Sequence, residues 1–110
     1  MPSALPYNTR KRIDRSHMEF EWNPAKAAAN LKKHGVSFSE AATVFGDTLS
    51  VTVPDPDHST EEDRYITVGM SDRPRLLMVA YAERGDRVRI IGARELTRME
   101  REAYERGNQD

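Results

Sequence analysis

Arg87-Val88-Arg89-Ile90-Ile91-Gly92-Ala93-Arg94-Glu95-Leu96-Thr97-Arg98-Met99-Glu100-Arg101-Glu102-Ala103-Tyr104 is the stretch whose reading decides the fold. Its first half predicts a strand. Val88, Ile90 and Ile91 are β-branched, and a turn-forming Gly85-Asp86 precedes them. Ile90 and Ile91 are consecutive, so they are expected on opposite faces of a sheet. A strand apolar on both faces is an interior strand. The second half predicts a helix, opened by Thr97 and Glu100 at capping-box spacing. Arg87, Arg89 and Arg94 fall at or near the strand ends. Guanidiniums on an interior strand need anionic partners, either the protein's own carboxylates or a ligand's phosphates.

Working back from this stretch, Leu76 to Ala82 is nearly all apolar and predicts a second interior strand, joined to the first through Glu83-Arg84-Gly85-Asp86 as a hairpin turn. Arg64 to Met70 alternates loosely and ends at the turn Ser71-Asp72-Arg73-Pro74. Leu49, Val51 and Val53 alternate with polar residues, and Pro54-Asp55-Pro56-Asp57-His58-Ser59 cannot continue a ladder. Upstream, Asn23-Pro24 predicts a helix start that runs to Gly35. Ser37 and Glu40 open a second helix, with Phe38, Ala41, Ala42 and Phe45 as its apolar face. Glu19-Phe20-Glu21-Trp22 is a short strand with both aromatics on one face. The order is β-α-α-β-β-β-β-α, an α+β fold whose antiparallel meander is covered by helices. Residues 1–17 hold Pro2, Pro6 and the basic cluster Arg10, Lys11, Arg12 and Arg15 without apolar periodicity, which predicts a disordered extension. Met18 then stands as an alternative start. The single domain is expected over 18–107, with 108–110 as a tail.

The chain has 110 residues, no cysteine and a net charge of -1. That excludes a disulfide scaffold and a thiolate metal site. No apolar run approaches the ~18 residues of a membrane span and nothing resembles a signal peptide, so a cytoplasmic chain is expected. A near-neutral balance lacks the usual footprint of nucleic-acid binding. Yet every basic residue from Arg64 onward is arginine, the side chain suited to bidentate phosphate contacts. A GC-rich genome produces the same bias.

The chain resembles the BrnT family, toxins of two-gene toxin–antitoxin systems. The resemblance rests on Phe20-x-Trp22-x-Pro24-x-Lys26 and on Asn30-x-x-Lys33-His34-Gly35-Val36-x-Phe38-x-Glu40-Ala41. It continues through Asp57-His58-Ser59-x-x-Glu62-x-Arg64, Gly69, Arg89-Ile90-Ile91-x-Ala93-Arg94 and Glu100-Arg101-x-x-Tyr104. It covers nearly all of Met18 to Tyr104, and Gly92 stands where a serine is expected. The resemblance implies a RelE-like fold and a ribonuclease that arrests translation. It also implies a cognate BrnA-like antitoxin that binds DNA, so that the toxin meets DNA only indirectly.

Metal-free RNA cleavage needs a base for the 2′-hydroxyl, cations for the phosphate and an acid for the leaving oxygen. Arg64 and Arg94 are the favoured phosphate ligands, since both fall inside the family pattern at strand termini, and Arg89 is a further RNA contact. His58, beside Asp57, can act as a base near neutral pH. Glu62 is the competing base, unless it pairs with Arg64. His34 reads as a helix-end residue favoured by the helix dipole. Lys33 can contact phosphate or remain a solvated charge. Tyr104 can stack on a base or donate a proton, or belong to the core. No cofactor and no metal are expected, because Asp55, Asp57 and His58 lack the pattern of a calcium loop. The other reading is a non-catalytic protein-binding module, acting as co-repressor with the antitoxin. In either reading the antitoxin is expected over the arginine-bearing side.

Overall fold

Thr97 and Glu100 close the capping box that the sequence predicts. The Glu100 amide donates to Thr97 Oγ1 at 3.2 Å, and the Thr97 amide donates to Glu100 Oε1 at 2.9 Å. The computed structural model describes residues 18–55 and 63–109. The expectations for residues 1–17, and for His58 and Glu62, lie outside the described residues. Elements follow the expected order: β1 (Glu19–Glu21), α1 (Pro24–His34), α2 (Phe38–Thr43), a 3-10 turn (Val44–Gly46), β2 (Val51–Pro54), β3 (Arg64–Met70), β4 (Leu76–Arg84), β5 (Arg87–Glu95) and α3 (Arg98–Gln109).

Helix α1 starts where Asn23 Oδ1 accepts the amides of Ala25 and Lys26, and it ends at Gly35, whose φ of 70° favours glycine. Ser37 caps α2 by accepting the Glu40 amide. The sheet order is β1-β5-β4-β3-β2. Strands β2 to β5 form the expected antiparallel meander. Strand β1 joins it parallel to β5, so the sheet is mixed. Parallel pairing needs a long crossover, and everything from α1 to β4 lies between these two partners.

One sheet face packs under α1 and α2. Val36, Phe38, Ala41, Val44 and Phe45 meet Leu77, Val79 and Tyr81 of β4 and Val88, Ile90 and Ala93 of β5. Phe20 of β1 and Trp22 just after it reach this core, against Phe45 and Phe38 respectively. The other face carries Ile66, Val68 and Met70 of β3 and Leu76, Met78 and Ala80 of β4, all half-buried except the exposed Met70. Helix α3 spans from the end of β5 to the start of β2, where Tyr104 Oη donates to the Leu49 carbonyl at 3.0 Å.

The register shifts between Ala80 and Tyr81, leaving Ile91 as an extra residue in β5. Ile90 is 1% exposed, and Ile91 is half-buried. Buried positions run Val88, Ile90, then Ala93, a step of two followed by a step of three. A one-residue bulge of this kind moves every later side chain to the other face.

Candidate functional site

That bulge assembles the arginines. Arg89 and Arg94 are five residues apart, so strict alternation would place them on opposite faces. With Ile91 inserted, Arg89 pairs with Ala82 and Arg94 with Met78, on the face away from α1 and α2. Arg64 pairs with the same Ala82 from the other side. Arg64 and Arg89 therefore flank one strand, with Cα atoms about 10 Å apart at ordinary strand spacing. Arg94 lies roughly 13 Å further along β5. All three sequence-predicted arginines share the face away from the α1–α2 core.

On this face a cavity of about 210 Å³ is lined by Ile66, Met78, Ala80, Gly92, Ala93 and Arg94 together with Asn30 and His34 of α1, while Arg64 and Arg89 do not line it. Asn30 explains how a helix reaches this face. Strand β1 covers β5 only from Arg87 to Arg89. Beyond it, Asn30 Nδ2 donates to the Ala93 carbonyl at 2.8 Å, and the Ala93 amide donates to Asn30 Oδ1 at 3.1 Å. One side-chain amide thus replaces a missing strand partner and seats α1 on the β5 edge.

The arginines are not bare charges. Arg94 donates both terminal nitrogens to Glu100, at 2.8 and 3.0 Å, and contacts the Glu95 carbonyl and Met78 Sδ. Its Nε remains uncommitted among the described residues. The Arg94 hydrogen bonds, with the Thr97 amide, hold the Glu100 carboxyl at about 2, well below its usual 4.5. Glu100 in turn raises the Arg94 pKa. Arg89 Nε donates to Glu21 at 3.1 Å, which lowers the Glu21 pKa, opposed by that carboxylate's desolvation. Arg64 heads β3, and the Asp55 amide donates to its carbonyl at 2.9 Å. The connection that carries His58 and Glu62 therefore leaves and rejoins the described chain beside Arg64.

Tyr104 is half-buried, and its hydroxyl is committed to Leu49. Lys33 is exposed on α1 and does not line the cavity. His34, whose favoured reading from sequence is a helix-end residue, lines the cavity as well. Its spacing from Asn30 was the available signal, since residues four apart share a helix face.

An α+β domain whose sheet carries arginines on the face away from its main helical core is the class that these features define. The crystal structure of the Brucella abortus ribonuclease toxin, BrnT, is similar in fold, with a TM-score of 0.58 and 20% sequence identity over 74% of this chain and 99% of that one. Residues 22–100 match the family described as "Ribonuclease toxin, BrnT, of type II toxin-antitoxin system". The chain belongs to the BrnT family. Membership carries ribonuclease-toxin character and an antitoxin partner at the level of the family. No protein of curated function matches the sequence. No helix among the described residues is long and apolar enough to cross a membrane.

Proposed function

We propose that this chain is a metal-independent endoribonuclease that cuts RNA on the arginine-bearing face of its sheet and so arrests translation. The observation that carries the reading is the shared placement of Arg64, Arg89 and Arg94 on that face, in a member of a ribonuclease-toxin family. Arg64 and Arg94 hold the scissile phosphate, Arg94 through the Nε that Glu100 leaves open. His58 or Glu62, from the connection anchored beside Arg64, takes the 2′-hydroxyl proton. Its oxygen then attacks the adjacent phosphorus. Arg89 and Lys33 contact the RNA backbone. Tyr104 offers its ring for stacking, its hydroxyl being spent on Leu49.

A BrnA-like antitoxin holds the toxin inactive by laying acidic side chains over the same face. DNA is contacted through that antitoxin alone. This is consistent with a toxin whose own net charge is -1.

The test is purified, antitoxin-free protein incubated with RNA in excess chelator. Expected products are fragments ending in 2′,3′-cyclic phosphates. Arg64→Ala and Arg94→Ala, each shown to be folded, should cut about 10²-fold more slowly or worse, the scale of losing one donor to developing charge. Folded variants that cut like the parent would remove both arginines from the site. A second reading, the non-catalytic co-repressor, is favoured by the carboxylates already seated on Arg89 and Arg94. RNA left whole by the antitoxin-free protein would decide for it.

A further inference from the structure

His34 is exposed, its backbone is held in place by its neighbours, and its ring bonds to no described residue. One turn before it, Asn30 is clamped to Ala93 and donates to the Val36 carbonyl at 3.0 Å. Immediately after it, the Gly35 amide closes α1 on the Leu31 carbonyl, and Arg75 Nη2 donates to the Gly35 carbonyl at 3.1 Å. The backbone is thus fixed to the sheet on both sides of His34. The imidazole makes no hydrogen bond or ion pair with any described residue, although a helix-capping histidine would bond a terminal carbonyl. It lines the cavity together with Met78, Ala80, Gly92 and Arg94. Gly92 leaves that wall open, because a Cβ built there meets only Asn30 Oδ1, at 3.8 Å.

We propose that His34 is a catalytic residue, the general acid of the cleavage, an inference that rests on the ribonuclease reading above. The 2′-oxygen forms its bond to phosphorus as the bond from phosphorus to O5′ breaks. The 2′-hydroxyl proton passes to a base or to water on the far side of the phosphorus. The His34 imidazolium gives its proton to O5′, leaving a 2′,3′-cyclic phosphate and a free 5′-hydroxyl. The choice of acid over base is what the two substrates below distinguish. His34 ends α1, where the helix dipole favours the protonated ring. Arg94, the charged group that β5 brings to the cavity, is already paired with Glu100. Strands β3 and β4 contribute Ile66, Met78 and Ala80, none of them charged. Lys32 and Lys33 precede it on α1 and disfavour the protonated ring, while a bound phosphate anion favours it.

The experiment compares two RNA substrates, one ordinary and one whose scissile 5′-oxygen is replaced by sulfur. A thiolate leaves without a proton, so the sulfur substrate bypasses a general acid. His34→Ala and His34→Gln, both with parental circular dichroism and melting, should cut ordinary RNA roughly 10²–10⁴-fold more slowly. Both should cut the sulfur substrate at close to the parental rate. The parent's fall in rate on the alkaline side, where imidazolium is lost, should disappear in both variants. Equal losses on the two substrates would make His34 a positioning or basic residue and overturn the assignment. Undiminished cutting of ordinary RNA by either folded variant would overturn it as well. A parent that cuts neither substrate would defeat the ribonuclease reading itself, an outcome distinct from both.

Discussion

The two faces of this sheet use the same residue types for opposite ends. Under α1 and α2, the polar groups that accompany the apolar core are fully tied. Glu40, 5% exposed, accepts Arg75 Nε at 3.0 Å and Ser71 Oγ at 2.7 Å, and Arg75 goes on to Glu95 and the Gly35 carbonyl. On the far face, Arg94 and Arg89 also carry carboxylates, but those pairs are open to solvent along one side. A charge bound on all sides holds elements together. A charge bound on one side keeps its position while leaving a donor for something else. The difference shows that an ion pair in a small domain is not by itself evidence against a binding role.

The sharpest way to break the comparison is to truncate one large side chain on each face. Phe38→Ala removes a side chain that is 1% exposed at the centre of the core and should cost about 3–5 kcal/mol in urea unfolding. Met78→Ala, on the half-buried cavity floor, should cost well under half of that and should lower RNA cleavage more than stability. Equal destabilisation at the two positions would mean that the arginine-bearing face is a second core rather than a site.

Next in size is the tied pair. Glu40→Ala leaves Arg75 without its main partner at the junction of α2, the β3–β4 turn and β5. Removing one partner of a mostly buried pair costs on the order of 3 kcal/mol. RNA cleavage per folded molecule should hardly change. A loss of activity that exceeds the loss of folded protein would show that the Arg75 network reaches the site, through Gly35 and hence His34.

How much of this could be read in the sequence depends on what each feature leaves behind there. The caps at Asn23, Ser37 and Thr97 were legible because capping requires particular side chains at fixed spacing. The interior strands were legible because Leu76 to Ala82 and Val88 to Ile91 bear too many apolar residues for a half-exposed surface. The parallel placement of β1 was not, since three alternating residues carry a period but no direction. The bulge at Ile91 was not either. Consecutive isoleucines fit opposite faces of a regular strand as well as a register shift. The arginines could therefore be nominated from residue type and family pattern, while their convergence on one face could not. That His34 lines the cavity could not be read either, because the seating of α1 depends on Asn30 meeting the backbone of Ala93, 63 positions away.

The smallest effect separates the faces by pH. Glu100→Gln replaces the carboxylate that holds Arg94, and an exposed-side pair of this kind contributes about 1 kcal/mol or less at neutral pH. The carboxyl titrates near 2 in the folded chain against 4.5 normally. A depressed value means that the unfolded chain takes up the proton first as pH falls, so the pair's contribution is complete above about 4.5 and is lost on the way down to about 2. Glu40 and Glu21, also lowered by their arginines, titrate in parent and variant alike and cancel in the difference. Urea melts at pH 7, 4, 3 and 2.5 should therefore show the parent's advantage complete at the first point and shrinking through the rest. An advantage that persists undiminished at pH 2.5 would mean that the substituted amide disturbs the α3 capping box rather than the ion pair, and Arg94 would then owe its position to the helix and not to its carboxylate.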